Sequence, residues 1–364
     1  MTGIYIHVPF CERKCPYCAF YSRVFSSDAA NAYVGALAKA VAGADTIRAD
    51  TLYFGGGTPT LLGADNIIAL TDLCRQRFGL DNAEMTLECN PNSISLPALE
   101  KLRQAGINRL SVGVQSLDDG ELRFLGRLHD SRQALQAFSD ARRAGFENLS
   151  ADLMIGIKGQ TEKSISDTVK TLTSLGALHL SVYMIKVEQG TAFDSDKIRQ
   201  CLMDEDELAD LYLAAVSAAG DNGLKQYEIS NFAAPGYESR HNSKYWAREE
   251  YLGFGPSAHS FYKGVRYCCP DDLSGFIENS LRTVVTDPEP DAAEEYVMLG
   301  LRLCKGISFD KLSALGCGDD RVKHIALLAK RYASAGLCVT DGRSVCLTPK
   351  GMLVSNSVIA SFLA

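Results

Sequence analysis

Residues 4–18 read Ile4-Tyr5-Ile6-His7-Val8-Pro9-Phe10-Cys11-Glu12-Arg13-Lys14-Cys15-Pro16-Tyr17-Cys18. The first five residues form a β-branched and aromatic run stopped by a proline, which predicts a short strand. Three cysteines then fall within eight residues, separated by three residues and then two. A strand feeding a ligand-rich loop sets the pattern for the rest of the chain. The spacing predicts a helix over 28–41, a strand over 51–54 ending in Gly55-Gly56-Gly57-Thr58-Pro59, and a helix over 64–78. Strands are expected over 85–88, 109–115, 149–155 and 180–187, with helical periods over 96–105, 119–124, 131–144, 162–175 and 204–220.

Six strand–helix units in a row imply a parallel sheet with helices outside it. Six suit a partial, open (β/α) barrel better than a closed eight-fold one. In such α/β folds ligands sit at the carboxyl ends of the strands. The unusual residues converge there: the cysteines after strand one, the glycines after strand two, Glu88 in strand three, Gln115 ending strand four and Asp152 within strand five. The alternation fades after about residue 224. We therefore expect a barrel over 1–224, a connecting segment over 225–290 and a small helical, winged-helix-like domain over 291–364, with helices followed by a hairpin.

Composition narrows the function. Apolar residues are 46% and charged residues 22%, so a globular chain rather than a disordered one is expected. With 37 basic residues against 44 acidic, the formal charge is −7, which argues against a surface built to grip nucleic acid. No apolar run is long enough for a transmembrane segment, which leaves peripheral membrane contact open. No secretory signal pattern opens the chain, and twelve cysteines in a long, non-scaffold sequence suit the reducing cytoplasm.

Cys11, Cys15 and Cys18 can hold three irons of a [4Fe–4S] cubane. The position two after Cys18 is Phe20, so one iron is left for an outside ligand such as an amino acid's amine and carboxylate. A zinc site recruiting His7, or three unrelated thiols, are the alternatives. Gly56, Gly57 and Thr58 form a turn without a dinucleotide register, so it reads equally as a plain turn or as a ligand contact. Glu88 and Asp152 can accept hydroxyls or an amine, or form buried ion pairs. Arg127 can match a carboxylate.

The cysteine spacing resembles the radical S-adenosylmethionine (radical SAM) signature. Residues 5–11, 54–60, 113–116 and 152–156 resemble the branch of that superfamily holding the oxygen-independent coproporphyrinogen III oxidase and its heme-chaperone relatives, and among these the chaperones most. The resemblance implies a partial barrel of radical SAM type. It also implies a cluster on Cys11, Cys15 and Cys18, with Tyr5 beside it. Gly56, Gly57, Thr58, Glu88, Gln115, Arg127 and Asp152 would complete the S-adenosyl-L-methionine (SAM) pocket. His241-Asn242-Ser243-Lys244-Tyr245-Trp246 resembles an HNxxYW motif of the chaperones. His241 is the first choice as heme iron ligand and Tyr245 the second. The alternative is that His241 and Trp246 only pack between domains, with His259 as another ligand.

Two functions are then open. One is a heme-binding chaperone with cluster and SAM that delivers heme to an acceptor protein. The other is an enzyme, the oxidase of porphyrin biosynthesis, which decarboxylates coproporphyrinogen III. A third, radical chemistry on heme itself, also fits. The oxidase carries a fourth cysteine where Phe20 stands, and an N-terminal extension, so decarboxylation is not expected. Whether SAM is cleaved is left open.

Overall fold

The computed structural model describes residues 1–279 and 283–364. Six strands lie side by side in chain order: β1 (Thr2–Val8), β2 (Ala49–Gly56), β3 (Glu84–Cys89), β4 (Arg109–Gln115), β5 (Asn148–Ile155) and β6 (Ala177–Met184). All five neighbouring pairs are parallel. Each strand leads to a helix: α1 (Ser27–Gly43), α2 (Ala64–Phe78), α3 (Leu96–Gln104), α4 (Ser131–Arg143), α5 (Glu162–Ser174) and α6 (Glu205–Asp221). The expected α/β fold of six units is therefore present.

Local chemistry explains the boundaries. In α1 the buried residues Ala30, Tyr33, Ala36, Leu37, Ala40 and Val41 recur at helical spacing and pack on the sheet. Asp130 and Thr161 close capping boxes on α4 and α5. Gly79, in the left-handed conformation, ends α2. β6 begins three residues before its expected start, because Gly176 at φ 96° turns the chain directly from α5 into the sheet.

Residues 225–290 were expected to be a connector, and much of that segment is sheet instead. β7 (Asn231–Ala233) pairs antiparallel with β6. The helix α7 (Arg240–Ala247) comes next, and then β8 (Tyr251–Phe254) pairs parallel with β1. β9 (His259–Tyr262) and β10 (Val265–Cys268) continue antiparallel from β8. With the edge strands Lys225–Gln226 and Val284–Asp287 the sheet reaches twelve strands. Strands of two to four residues are too short to show a period of two, which is why the sequence hid them.

The last part of the chain has its own core, with Val297, Leu301, Ile307, Leu312, Ile325, Val345 and Phe362 buried together. Helix Asp319–Ser334 leads into a hairpin of Cys338–Thr340 and Ser344–Leu347, to which Ile307–Ser308 adds a third strand. That is the helices-then-hairpin order expected. Ile229 belongs to the same core, so it is stitched to the barrel. Among the described residues no helix is long and apolar enough to cross a membrane.

Candidate functional site

The carboxyl ends of β1–β6 surround a cavity of about 350 Å³. Its wall contains Cys11, Cys15 and Cys18, then Gly56, Gly57 and Thr58, then Glu88, Gln115, Arg127 and Asp152. These come from five successive strand–loop units, and the fold brings all ten to one place. Tyr5 is the exception. Its hydroxyl lies 3.0 Å from His7 Nδ1, and its ring packs beside Tyr53 in the barrel lumen. It is not part of the cavity wall, and its ring lies in the lumen close to Glu88.

The cysteine loop is anchored by the glycine turn. Gly57 N–H donates to Val8 O at 2.8 Å and Thr58 N–H to Phe10 O at 2.7 Å. A Cβ on Gly57 would stand 2.4 Å from Phe10 O, so only glycine allows this approach. Gly56, at φ 110°, donates its N–H to Glu88 Oε2 at 3.2 Å. All three amides are thus spent on protein, and the turn shapes the wall rather than offering free donors. All twelve cysteines are free thiols.

The donors around the thiols suit a cluster. Thr58 Oγ1 points at Cys11 Sγ at 3.9 Å, and Arg127 Nη1 donates to Cys15 Sγ at 3.5 Å. Hydrogen bonds to cluster sulfurs are one of a protein's levers on such a centre. Among the described residues no three His, Cys, Asp or Glu side chains converge as one ion would need.

Arg127 is fixed by Gly113 O at 3.0 Å and by Asn90 Oδ1. Asn90 in turn donates to Thr58 Oγ1 at 3.0 Å. Asn90 was missed as a site residue, although it lies on the predicted rim two residues after Glu88. Ser111 and Tyr183 were missed too, and both line the cavity. Period-two alternation, counted back from Gly113, would have found Ser111. Gln115 sits at φ 65°, where the register of β4 on β5 breaks. Left-handed backbone is strained for any residue but glycine, and such strain gathers at functional sites.

Glu88 accepts from Tyr53 Oη at 2.7 Å. Burial pushes its carboxyl up to about 7, with the Asp152 charge adding to the rise and the Tyr53 hydrogen bond opposing it. Asp152 accepts from Ser111 Oγ at 3.2 Å, and burial raises its carboxyl as well. Both are half-buried by area, but the exposed part faces the narrow cavity rather than bulk water.

His241 and Tyr245 lie at the opposite end. Helix α7 closes the amino ends of the strands, where Glu84 accepts the backbone N–H groups of Arg240 and His241 at 3.1 and 3.0 Å. His241 is 0% exposed. Its Nδ1 bonds Thr51 Oγ1 at 2.7 Å and its Nε2 bonds Tyr245 Oη at 2.8 Å. Its ring stacks on Tyr53 at 5.2 Å. Burial, with Lys244 and Arg109 nearby, lowers its pKa to about 3, so it is neutral. Helix α7 is therefore a floor to the barrel, and both imidazole nitrogens are engaged. His259 is exposed, and β9 places it opposite Cys268 of β10.

A partial parallel barrel with three free thiols on its first loop, opening on one cavity, is the arrangement the radical SAM resemblance implies. The profile of the Radical SAM superfamily matches residues 5–172, and that of the HemN C-terminal domain matches residues 287–354. The chain is 37% identical to the heme chaperone HemW of Bacillus subtilis, spanning 100% of this chain and 99% of that protein. It is 32% identical to the heme chaperone HemW of Mycobacterium tuberculosis over 99% of this chain and 94% of that protein. In fold it is similar to coproporphyrinogen III oxidase (HemN) from Escherichia coli, with a TM-score of 0.83 at 22% identity, over 99% of this chain and 89% of that one. The chain belongs to the radical SAM superfamily, in the branch shared by the oxygen-independent coproporphyrinogen III oxidase and HemW.

Proposed function

We propose that the protein is a heme chaperone that holds a [4Fe–4S] cluster on Cys11, Cys15 and Cys18, keeps SAM in the adjoining cavity, and passes heme to an acceptor protein in the cytoplasm. The observation that carries this reading is the convergence of the ten rim residues on one cavity, in a chain whose full-length relatives include named heme chaperones. When bound, the cluster would offer SAM an open iron and an electron. The protein's own part is to hold and sort. Glu88 and Asp152 present carboxylates to the ribose hydroxyls or the amine. Arg127 supplies a cation beside Cys15. Phe20, 68% exposed at the cavity mouth, stands where the oxidase has its fourth cysteine.

For heme, His241 remains the candidate named by its motif, with Tyr245 beside it, and either must first leave its hydrogen bond. His259 needs no such release. A heme titration of wild type, His241→Ala, Tyr245→Phe and His259→Ala, each with its cluster intact, tests the reading. One heme per chain, with a Soret change in one histidine variant, supports it. The same protein is given SAM, dithionite and coproporphyrinogen. Sustained protoporphyrinogen formation with 5′-deoxyadenosine released in step would replace the chaperone reading by the oxidase.

A further inference from the structure

Arg109 is among the largest side chains fully enclosed in the protein, 1% exposed, and sits at the start of β4. Its register partners are Thr86 on β3 and Asn148 on β5. Strand alternation puts Arg109 on the same face as Ser111 and Gly113, which line the cavity, so its guanidinium lies in the lumen one layer below. Its Nε and Nη1 have no hydrogen-bond partner among the described residues. A buried, always-charged group without a partner is costly, so its retention calls for a reason.

The reason lies one layer up. Glu88 and Asp152 are held by neutral groups: Tyr53 and the Gly56 amide for one, Ser111 for the other. Around Glu88 the other titratable groups are Tyr5 of β1, Tyr183 of β6, Tyr245 of α7, its neighbour Cys89 and, two layers down on the same face of β3, Glu84, whose carboxylate is taken up by the amides of Arg240 and His241. None of these is a cation at neutral pH. Arg109 opposes the upward push on both carboxylates, and Arg127 acts on Asp152 alone while being tied to Cys15. With both carboxylates ionised, two negative charges and one positive leave a single negative charge. The α-amine and carboxylate of SAM cancel, and its sulfonium leaves one positive charge.

We propose that Arg109 is a positioning residue of the SAM pocket: its buried guanidinium is the counter-charge that matches the pocket to a monocationic ligand without touching it. The inference rests on the SAM reading above. In Arg109→Met the carboxylates lose their cation, so Glu88 holds its proton to higher pH. If its midpoint moves by about one pH unit, SAM affinity falls on the order of fivefold at pH 7 and returns by about pH 9. Arg109→Lys keeps most of the affinity.

The experiment is anaerobic SAM titration of cluster-loaded wild type, Arg109→Met and Arg109→Lys from pH 6 to 9.5. Alongside it, ¹³C-carboxyl NMR of glutamate-labelled, SAM-free protein follows the Glu88 signal, assigned with Glu88→Gln. A pH-dependent loss in Arg109→Met that Arg109→Lys largely avoids, with a raised Glu88 midpoint, supports the assignment. A loss of equal size at every pH, or an unchanged Glu88 midpoint, overturns it. If wild type binds no SAM, the function reading fails, and the Glu88 midpoint alone decides the role of Arg109.

Discussion

Glu88 gives the fold a measurable dependence on pH. Its carboxyl titrates near 4.5 when the chain is unfolded and is pushed up to about 7 in the folded barrel. The sign is set by which state holds the proton. Below about pH 4 both states are protonated and the group is neutral to stability. Between 4.5 and 7 the unfolded chain releases its proton first, so stability falls as pH rises. Above about 7 both are ionised and the loss is constant, about 3 kcal/mol at most. Glu88→Gln does not titrate and lacks this loss, though it gives up one acceptor for Tyr53 or the Gly56 amide, at about 1 kcal/mol. The stability difference between variant and wild type should therefore shift in the variant's favour by about 2 to 3 kcal/mol from pH 5 to pH 8. Denaturant melts of the cluster-free protein across that range measure it. A difference that stays flat with pH would refute the burial argument, because only a carboxyl that is harder to ionise in the fold can produce the slope.

Four further outcomes are expected. Cys15→Ala should abolish the broad absorption at roughly 400 nm and the roughly four irons per chain of a reconstituted cubane; equal iron in the variant sinks the cluster assignment. Gly57→Ala should destabilise the barrel by about 2 kcal/mol or more, since its Cβ would meet Phe10 O at 2.4 Å, and should impair cluster loading; a wild-type melting temperature and full iron content contradict the clamp. Asp152→Ala should weaken SAM binding and leave the cluster intact, with a melting curve run in parallel; unchanged affinity in folded protein rejects its role. Tyr53→Phe removes the hydroxyl that stabilises ionised Glu88, so SAM affinity should fall most between about pH 6 and 8; a uniform loss at all pH values would mark Tyr53 as packing only.

The barrel was legible because parallel, doubly buried strands and amphipathic helices leave strong periodic signals. β1 is almost wholly buried on both faces, and α2 and β4 fall on their expected residues. The rim was legible because the βα order fixes which end of each strand faces the ligand. Depth within the lumen was not legible. Tyr5 and Arg109 point inward like Glu88, but period two says which face a residue occupies and not how far down the barrel it lies. The setting of residues 241–246 was not legible for a related reason. Nothing local records that Arg240 and His241 cap onto Glu84, more than 150 positions earlier in the chain.

That placement bears on how heme could be held. An imidazole ligates iron through a ring nitrogen lone pair, and both nitrogens of His241 are occupied. Freeing Nε2 from Tyr245 forfeits one buried hydrogen bond, and moving the ring off Tyr53 and away from Thr51 forfeits a stack and a second bond. At about 1 kcal/mol for each hydrogen bond and a similar amount for the stack, release costs about 3 kcal/mol. A site that must first open by that amount binds on the order of a hundredfold more weakly than its intrinsic affinity. The open site carries a signature that a preformed one lacks. Thr51→Val and Tyr245→Phe each remove a bond that holds His241 in place, so each should tighten heme binding if His241 is the ligand. If the exposed His259 is the ligand, both substitutions leave heme affinity unchanged and only His259→Ala lowers it.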